Sequence, residues 1–172
     1  AETAKTRMRK AHCRYDIEWF ARDFFPHLCR LEFSPMHRRL FRRRDAAMGE
    51  RLPGRAGRRF ALAAPRGSAK STLLSLLFPL HDMLYGQEKY IVLFSATLPQ
   101  AKARLRNLRR EIESNERLRR VYAAELRRSG PWTARSISIA GAQFDAYSAG
   151  TEVRGISSGP WRPTKIILDD VE

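Results

Sequence analysis

Apolar residues near the amino terminus recur at the spacing of a helix face. Ile17, Phe20 and Phe24 lie one turn apart, and Asp16 precedes them in the position of an N-cap. Pro26 ends or kinks that helix, because proline has no N–H group to donate and its ring clashes with the preceding turn. The pattern predicts a short amphipathic helix at this point of the chain.

A second helix is predicted a few residues further on. Ser34 is a favourable N-cap, Pro35 suits the first helical position, and Gly49 is typical of a C-terminal stop. Residues 50–59 contain glycines and a proline, which predicts a turn-rich connection. The polar and basic residues 1–15 carry no such pattern, and we expect them to be loosely ordered.

Short apolar runs alternate with helical patterns through the rest of the chain. Residues 60–64, FALAA, predict a short buried strand, and 90–96, YIVLFSA, predict another that is apolar almost throughout. The remaining predicted elements are helices over 70–84, 99–113 and 115–128, and strands over about 135–139, 143–148 and 165–168. This alternation indicates an α/β protein with a mainly parallel sheet flanked by helices.

Arginine dominates the charge of the chain and bears on its partner. The 172 residues include 33 basic and 18 acidic side chains, a formal net charge of +15, and only six of the basic residues are lysine. The planar donor fork of arginine suits phosphate, so we predict a polyanionic partner such as nucleic acid. The alternative is a GC-rich genome that favours arginine on solvated helix faces. The arginines from Arg104 to Arg128 are interleaved with glutamates, and we expect most of them to form a solvated face rather than a DNA cleft.

Several functional classes lack their sequence signals. Cys13 and Cys29 are not spaced as metal ligands, and no serine- or cysteine-based catalytic constellation is visible. The longest apolar stretch, 73–80, is too short to cross a bilayer, and the sequence shows no signal peptide. We therefore predict a cytoplasmic protein without a membrane partner.

The sequence APRGSAKST, which starts at Ala64, has the order of a phosphate-binding loop. The predicted strand delivers the chain to a turn whose N–H groups point inward, and the helix that follows adds its partial positive charge. Lys70 would reach the β- and γ-phosphates, and the Ser71 hydroxyl would ligate Mg²⁺. Gly67 is permissive, but Ala64 and Ala69 stand where the usual motif has glycine, and alanine disfavours positive φ. The alternative is an ordinary strand–loop–helix junction with a surface lysine.

Acidic residues follow the last predicted strand directly. Asp169, Asp170 and Glu172 come after KIIL, about 100 residues beyond the loop. Carboxylates crowded at a strand end repel each other unless a cation or a basic group neutralises them. A P-loop ATPase holds its Mg²⁺ and its water-activating acid at such a place, whereas an acidic turn after a strand more often carries a single aspartate. The loop and the acids together predict a site for ATP and Mg²⁺, with a Walker A loop and a Walker B strand.

Four motifs resemble the large terminase subunit of tailed bacteriophages, the ATPase motor that packs DNA into procapsids. Its members commonly have a degenerate phosphate loop with an arginine in the middle, here Arg66, and a helix entered as P-x-H near the adenine, here at His37. YIVLFSATLPQA is similar to the family's second strand and its Gln-Ala pair, here Gln100 and Ala101. GTEVRGISSGPWRPTKIILDDVE, with Arg-Gly and Arg-Pro pairs before the acids, is the most specific match. The resemblance covers about residues 16–172.

The resemblance implies a role for each matching residue. Asp169 would hold the metal together with Ser71, and Asp170 or Glu172 would orient the attacking water. Arg66 would sense the γ-phosphate within the same chain. Contacts to ATP would come from the loop and from the residue near the adenine: Pro65, Arg66, Gly67, Ser68, Ala69, Lys70, Ser71, Thr72 and His37.

The catalytic carboxylate and the arginine finger each have an alternative. Family members often have Asp-Glu where this chain has Asp-Asp with a glutamate two residues later, so both Asp170 and Glu172 are candidates. Arg154, in the Arg-Gly pair, is a candidate arginine finger for a neighbouring subunit, and such fingers contribute about 10³–10⁵ in rate. The alternative for Arg154 is a loop arginine that forms a salt bridge or touches DNA.

The resemblance also implies an organisation of the chain. Residues 1–15 would be a basic segment, 16–57 a helical segment on the adenine side, and 58–172 a P-loop NTPase core of the additional-strand type. Terminases of this kind continue with a coupling motif, further strands and a nuclease domain, none of which follows Glu172. We therefore expect an N-terminal fragment that is truncated after the Walker B strand and impaired as a motor.

The leading hypothesis is the ATPase domain of a DNA-packaging motor. It would bind and hydrolyse ATP with Mg²⁺ to move double-stranded DNA into a procapsid. The resemblance implies a homo-oligomeric ring with a portal protein and a small terminase subunit, in the host cytoplasm. Two alternatives stay open: a helicase-like P-loop ATPase that responds to single strands or RNA, and a basic DNA-binding or assembly module whose phosphate loop is vestigial.

Overall fold

The computed structural model describes residues 3–49, 59–151 and 155–171. The chain divides into two compact units, residues 1–68 and residues 69–172. In the described part of the chain no helix is both long and apolar enough to cross a membrane. Most of the predicted connection over 50–59 lies outside the described residues.

The first unit begins with a helix that the sequence pattern did not predict. Helix α1 spans Ala4–Tyr15, and the side chain of Thr3 caps it by accepting the N–H of Thr6. Arg9 binds Asp23 through its Nε, 2.6 Å from Oδ2, and Cys13 is fully buried. Residues 1–15 were expected to be loosely ordered, whereas residues 4–15 form a helix that is held by the Arg9–Asp23 ion pair and the buried Cys13.

The next two helices confirm the predictions made for them. Helix α2 spans Ile17–Phe24, and Asp16 accepts the N–H of Trp19 at 2.8 Å as its N-cap. All three predicted core residues of this helix are fully buried. Helix α3 spans Pro35–Gly49, directly after Ser34.

Residues 60–64 do not form the buried strand that their apolar sequence predicted. Their backbone is neither helix nor strand, and Phe60 is 52% exposed with the guanidinium of Arg43 5.5 Å from its ring centroid. A strand needs a neighbour that pairs with its N–H and C=O groups, and no described strand pairs with this segment. Apolar composition without such a neighbour is not sufficient.

The second unit opens with a continuous helical run, as predicted for 70–84. It consists of α4 (Lys70–Thr72), a π-helical segment (Leu73–Leu77) and α5 (Phe78–Leu84). Pro79 lies inside the run, and a proline there cannot donate the regular α-helical hydrogen bond. The wider π turn immediately before it is one way in which a helix absorbs such a break.

Five strands form one mixed sheet in the described part of this unit. They are β1 (Tyr90–Ser95), β2 (Arg128–Trp132), β3 (Ser136–Ile139), β4 (Ala142–Ser148) and β5 (Lys165–Leu168). Their spatial order is β2-β3-β4-β1-β5, with β1 parallel to β4 and to β5, and with β2, β3 and β4 antiparallel. The predicted α/β class is confirmed, but the sheet is mixed rather than mainly parallel. The hairpin turn at Ala140 and Gly141, both at positive φ, makes the β3–β4 pair antiparallel.

Two helices lie between β1 and β2 along the chain. Helix α6 spans Leu98–Ser114 and begins with a capping box between Thr97 and Gln100. Helix α7 spans Glu116–Val121, whereas the sequence predicted a helix as far as residue 128. The early end has a packing reason, because Tyr122 is buried and its hydroxyl lies 2.5 Å from that of Tyr85.

The two faces of the sheet differ in their covering. Helix α6 and the helical run pack on one face, where Ile91, Leu93 and Ile167 are buried. On the opposite face Ile166 is 60% exposed and Leu168 is 62% exposed. Strand β5 lies at the edge of the described sheet, and only one of its two faces is covered.

A polar cluster on the opposite face ties β4 to its neighbours. The carboxylate of Asp145 accepts hydrogen bonds from Tyr90 at 2.8 Å, from Ser136 at 2.5 Å and from Gln143 at 2.9 Å. Burial and this contact raise the pKa of the Tyr90 phenol far above its usual range. The cluster therefore stays a hydrogen-bonded unit at physiological pH and fixes the start of β1 against β4.

Candidate functional site

One buried carboxylate, that of Asp169, collects three side-chain donors in the second unit. Asp169 directly follows β5 and is 5% exposed. Its Oδ1 accepts the Ser71 hydroxyl at 2.9 Å, and its Oδ2 accepts the Ser75 hydroxyl at 3.1 Å. The same Oδ2 accepts Nε of Arg104 at 2.9 Å, which is also an ion pair. The residues come from α4, the π-helical segment, α6 and the end of β5.

Regular backbone geometry places Asp169 among these donors. Side chains alternate along a strand, so Asp169 lies on the same face as Ile167, which is the face that the helices cover. The parallel ladder continues past β5, because the N–H of Asp169 donates to Phe94 at 2.9 Å and the carbonyl of Asp170 accepts the N–H of Ala96 at 2.9 Å. Both acids are thereby held at the carboxyl end of β1.

Ser95, the last residue of β1, is level with Asp169 on that face. It is 2% exposed, and its hydroxyl has no hydrogen-bond partner within the described ranges. A buried polar group without a partner costs about 1–3 kcal/mol. The hydroxyl is therefore a candidate contact for a group that binds beside Asp169.

Arg104 is the residue of this site that the sequence interpretation missed. Most arginines from Arg104 onward were expected on a solvated face, yet this side chain is only 34% exposed and pairs with Asp169. The available signal was positional, because α6 begins just after β1, the strand that neighbours the acid-bearing β5. Composition could not distinguish Arg104 from Arg106, which is exposed on the same helix.

The loop residues lie on either side of the division between the two units. In the first unit, Ser68 folds back on Pro65, donating its hydroxyl to the Pro65 carbonyl at 2.7 Å, and Gly67 has a φ of 79°. In the second unit, Ala69 has a φ of 55° and a ψ of 20° and precedes α4. The position where the usual motif has glycine therefore adopts the left-handed backbone for which glycine is favoured.

His37 braces the loop within the first unit. Its Nδ1 accepts the backbone N–H of Ser34 at 3.1 Å, which leaves the ring proton on Nε2. Nε2 donates that proton to the carbonyl of Ser68 at 2.9 Å. The structure thus gives His37 a positioning contact, and its predicted place near an adenine stays a prediction.

The other predicted site residues are distributed as follows. Arg66 is exposed in the turn, and Lys70, Ser71 and Thr72 are half-buried at the start of the helical run. Asp170 is exposed, with a φ of 50° that aspartate tolerates better than most residues. Arg154 and Glu172 lie outside the described residues.

The chemistry of the site is that of a few oxygen donors around a single acid. Across the described ranges, no three His, Cys, Asp or Glu residues group closely enough to form a metal site by themselves. Asp169 and Ser71 offer hard oxygens, the ligand type that Mg²⁺ prefers, and Mg²⁺ commonly completes its shell with water and substrate phosphates. The site is therefore better suited to a cation that is also bound by phosphate than to a cation that the protein must bind alone.

The chain matches no protein-family model and no curated protein.

The left-handed alanine predicts a measurable strain in the loop. We expect Ala69→Gly to raise the free energy of unfolding by about 0.5–1 kcal/mol, because relief of an unfavourable backbone outweighs the added freedom of the unfolded chain. Chemical denaturation measures this. Ala140→Gly is the matched control, since Ala140 has a φ of 52° in the hairpin turn. If Ala140→Gly stabilises and Ala69→Gly does not, the left-handed conformation at Ala69 is contradicted.

The unpartnered Ser95 hydroxyl predicts a substitution that separates stability from binding. Ser95→Ala should leave the free energy of unfolding unchanged or raise it by about 1 kcal/mol, because it removes a buried group that lacks a partner. If that hydroxyl serves a ligand, the same variant should bind Mg²⁺ and an ATP analogue more weakly by calorimetry. Ser138→Ala is the control, since Ser138 is also buried, has no partner for its hydroxyl among the described residues, and lies in β3.

Proposed function

We propose that the chain is the ATPase portion of a terminase-like DNA-packaging motor with a P-loop nucleotide site. The observation that carries the proposal is the 2.9 Å hydrogen bond between Ser71 and Asp169, which are 98 residues apart. In P-loop NTPases the cation is held between a hydroxyl that follows the loop lysine and an acid at a strand end. The hydrogen bond joins the two side chains that the sequence motifs assign to those positions.

The residues present fit a Mg²⁺-bound nucleotide. Ser71 and Asp169 supply one hydroxyl and one carboxylate from separate elements, and Asp170 adds a second, exposed carboxylate. The hydroxyl of Ser95, which has no hydrogen-bond partner among the described residues, has unused capacity for one more polar contact. When bound, Mg²⁺ and ATP supply a polarised γ-phosphoryl group for transfer to water.

The chain's own residues would bind the phosphates, neutralise part of their charge and orient the attacking water. Lys70 provides positive charge at the start of the helical run, next to Ser71. Asp170 is the candidate that accepts the proton of the attacking water, because its carboxylate is exposed whereas that of Asp169 is occupied by donors. Glu172 is the alternative for this role, and Arg66 and Arg154 keep the roles of phosphate sensor and arginine finger that the resemblance implies.

A second candidate function rests on the loop itself. The missing strand over 60–64 and the left-handed alanine at position 69 favour a basic nucleic-acid-binding module whose nucleotide site is vestigial. In both candidates the partner is nucleic acid. They differ in whether the chain binds ATP at all.

A groove in the second unit supports a nucleic-acid partner. It has a volume of about 620 Å³, and its charged lining residues are Arg119, Arg120, Arg127, Arg128, Glu113 and Glu116. Arg120 pairs with Glu116 and Arg128 with Glu113, each at 3.5 Å, so the lining keeps an excess of positive charge. Trp132 also lines the groove, with the guanidinium of Arg128 4.6 Å from its ring centroid. Guanidinium groups bind phosphate through planar pairs of donors, so the groove suits a phosphodiester backbone. We propose it as a contact for duplex DNA, and the portal protein and small subunit are partners implied by the resemblance alone.

Removing the loop lysine tests the nucleotide site. Lys70→Ala should abolish binding of a nonhydrolysable ATP analogue with Mg²⁺, a loss of at least about 100-fold, because it removes the lysine that the motif assigns to the β- and γ-phosphates. Lys102→Ala, on α6, is the matched control and should bind as the wild type does. Calorimetry gives the affinity and circular dichroism checks the fold. Equal binding by wild type and Lys70→Ala rejects the site, and absence of binding by the wild type favours the vestigial module.

Removing a groove arginine tests the nucleic-acid contact. Arg127→Gln should weaken duplex binding at low salt and reduce the slope of log K against log salt by about 0.9, because one phosphate contact is lost. Fluorescence anisotropy measures both quantities. Arg162→Gln carries the same charge change at an exposed position away from the groove lining and should leave the slope unchanged. Tighter binding to single strands than to duplex would favour the helicase-like alternative.

A further inference from the structure

An arginine pairs with the carboxylate that the proposed function assigns to a divalent cation. Nε of Arg104 lies 2.9 Å from Oδ2 of Asp169, which is 5% exposed. In P-loop NTPases the neighbourhood of this acid is neutralised by the metal. In this chain a side chain supplies a positive charge to the same carboxylate, and it comes from α6 rather than from the loop.

The Asp169 carboxylate cannot bind the Arg104 guanidinium and a divalent cation at full strength at the same time. Oδ1 accepts one hydrogen bond, from Ser71, whereas Oδ2 accepts two, from Ser75 and Arg104. Two cations that share one buried carboxylate repel each other, and this repulsion is weakly screened away from water. Each cation therefore lowers the affinity of the site for the other.

Arg104 is the donor that is able to leave. Its side chain is 34% exposed, whereas Ser75 is 1% exposed inside the helical run. An arginine carries its charge on a long flexible stem, so its guanidinium can move into solvent without disturbing the helix. Ser75 has no comparable route.

We propose that Arg104 is an exchangeable counter-ion: it holds Asp169 when the site is empty and yields that carboxylate when Mg²⁺ and nucleotide bind. This regulation rests on the proposed nucleotide site. Arg104 is a positioning residue in this scheme, because it acts through Asp169 and not on the reacting phosphate. In this scheme the ion pair between Arg104 of α6 and Asp169 is present when the site is empty and absent when Mg²⁺ and nucleotide are bound.

Helix α6 carries Arg104 and also contributes residues to the lining of the groove. Ile112 and Glu113 line the groove and belong to α6, as Arg104 does. Glu113 follows Arg104 by nine positions, which is about 14 Å along a helix axis. Nucleic acid in the groove changes the cation affinity only where it changes the pairing of Arg104 with Asp169, and in that case the cation changes nucleic-acid binding in the same sense.

The test compares Arg104→Gln with Arg106→Gln, which makes the same charge change at an exposed position of α6. Without ligand, Arg104→Gln should melt at a lower temperature than the control, because Asp169 loses its counter-ion. With saturating Mg²⁺ and a nonhydrolysable ATP analogue, that difference should disappear. The affinity for the Mg²⁺-bound analogue should rise about tenfold in Arg104→Gln and stay unchanged in the control.

A second arm uses Mn²⁺ alone and is followed by electron paramagnetic resonance. Arg104→Gln should bind Mn²⁺ more tightly than the wild type, and Arg104→Lys, which keeps the charge, should lie between them. If Arg104→Gln does not fold, Arg104→Lys against wild type decides the question. If the wild type binds no analogue but Mn²⁺ affinity rises in the variant, the proposed nucleotide function fails and the exchange stands.

Three results would overturn the exchange. Equal destabilisation with and without ligand, at unchanged affinity, would make Arg104 a permanent structural counter-ion. A lower affinity of Arg104→Gln for the analogue would make it a phosphate contact. An unchanged Mn²⁺ affinity in both Arg104 variants would show that no cation competes with this side chain.

Discussion

A carboxylate can be buried only where positive charge and hydrogen-bond donors replace the water that it loses, and Asp169 places this demand on the second unit. Ser71, Ser75 and Arg104 meet it from three different elements. The end of β5 is thereby tied to the start of the helical run and to α6. Removing one partner from a fully buried ion pair costs about 3–5 kcal/mol, and loss of Arg104 costs less than that because its side chain is 34% exposed. The same contacts that hold the fold together thus constitute the candidate site.

Short sequence motifs were sufficient to single out Ser71 and Asp169, but not Arg104. A serine after the loop lysine and an aspartate after an apolar strand can each be recognised from their immediate neighbours, and Ser71 and Asp169 do meet. Arg104 could not be predicted in this way, because Arg106 has the same chemistry and lies two residues away on the same helix but is exposed. The rotation of α6 over the sheet distinguishes the two, and that rotation is a property of packing.

In the fold too, features set by adjacent residues were easier to predict than features set by residues far apart in the sequence. The cap at Asp16 and the capping box at Thr97 depend on a few adjacent residues, so sequence patterns predict such helix starts well. An apolar run states only that its side chains favour burial. It does not state which strand will pair with it, and so 60–64 stayed outside the sheet while β5 acquired one exposed face. The hairpin was predictable as a pair of strands, but its consequence, a mixed sheet, followed from the position of β4 beside β1.

Only a difference in contacts between two states can shift the equilibrium between them. Departure of Arg104 from Asp169 leaves a buried carboxylate without its counter-charge, so that state is favourable only when another cation has arrived. Return of Arg104 is favourable only when that cation has gone. In the proposed exchange, Asp169 is paired either with Arg104 or with the second cation, and not with both. Arg104 therefore has two discrete states, bound to Asp169 or released from it. Ile112 and Glu113, near the far end of α6, line the groove, so the proposed exchange takes place on the same helix that borders it.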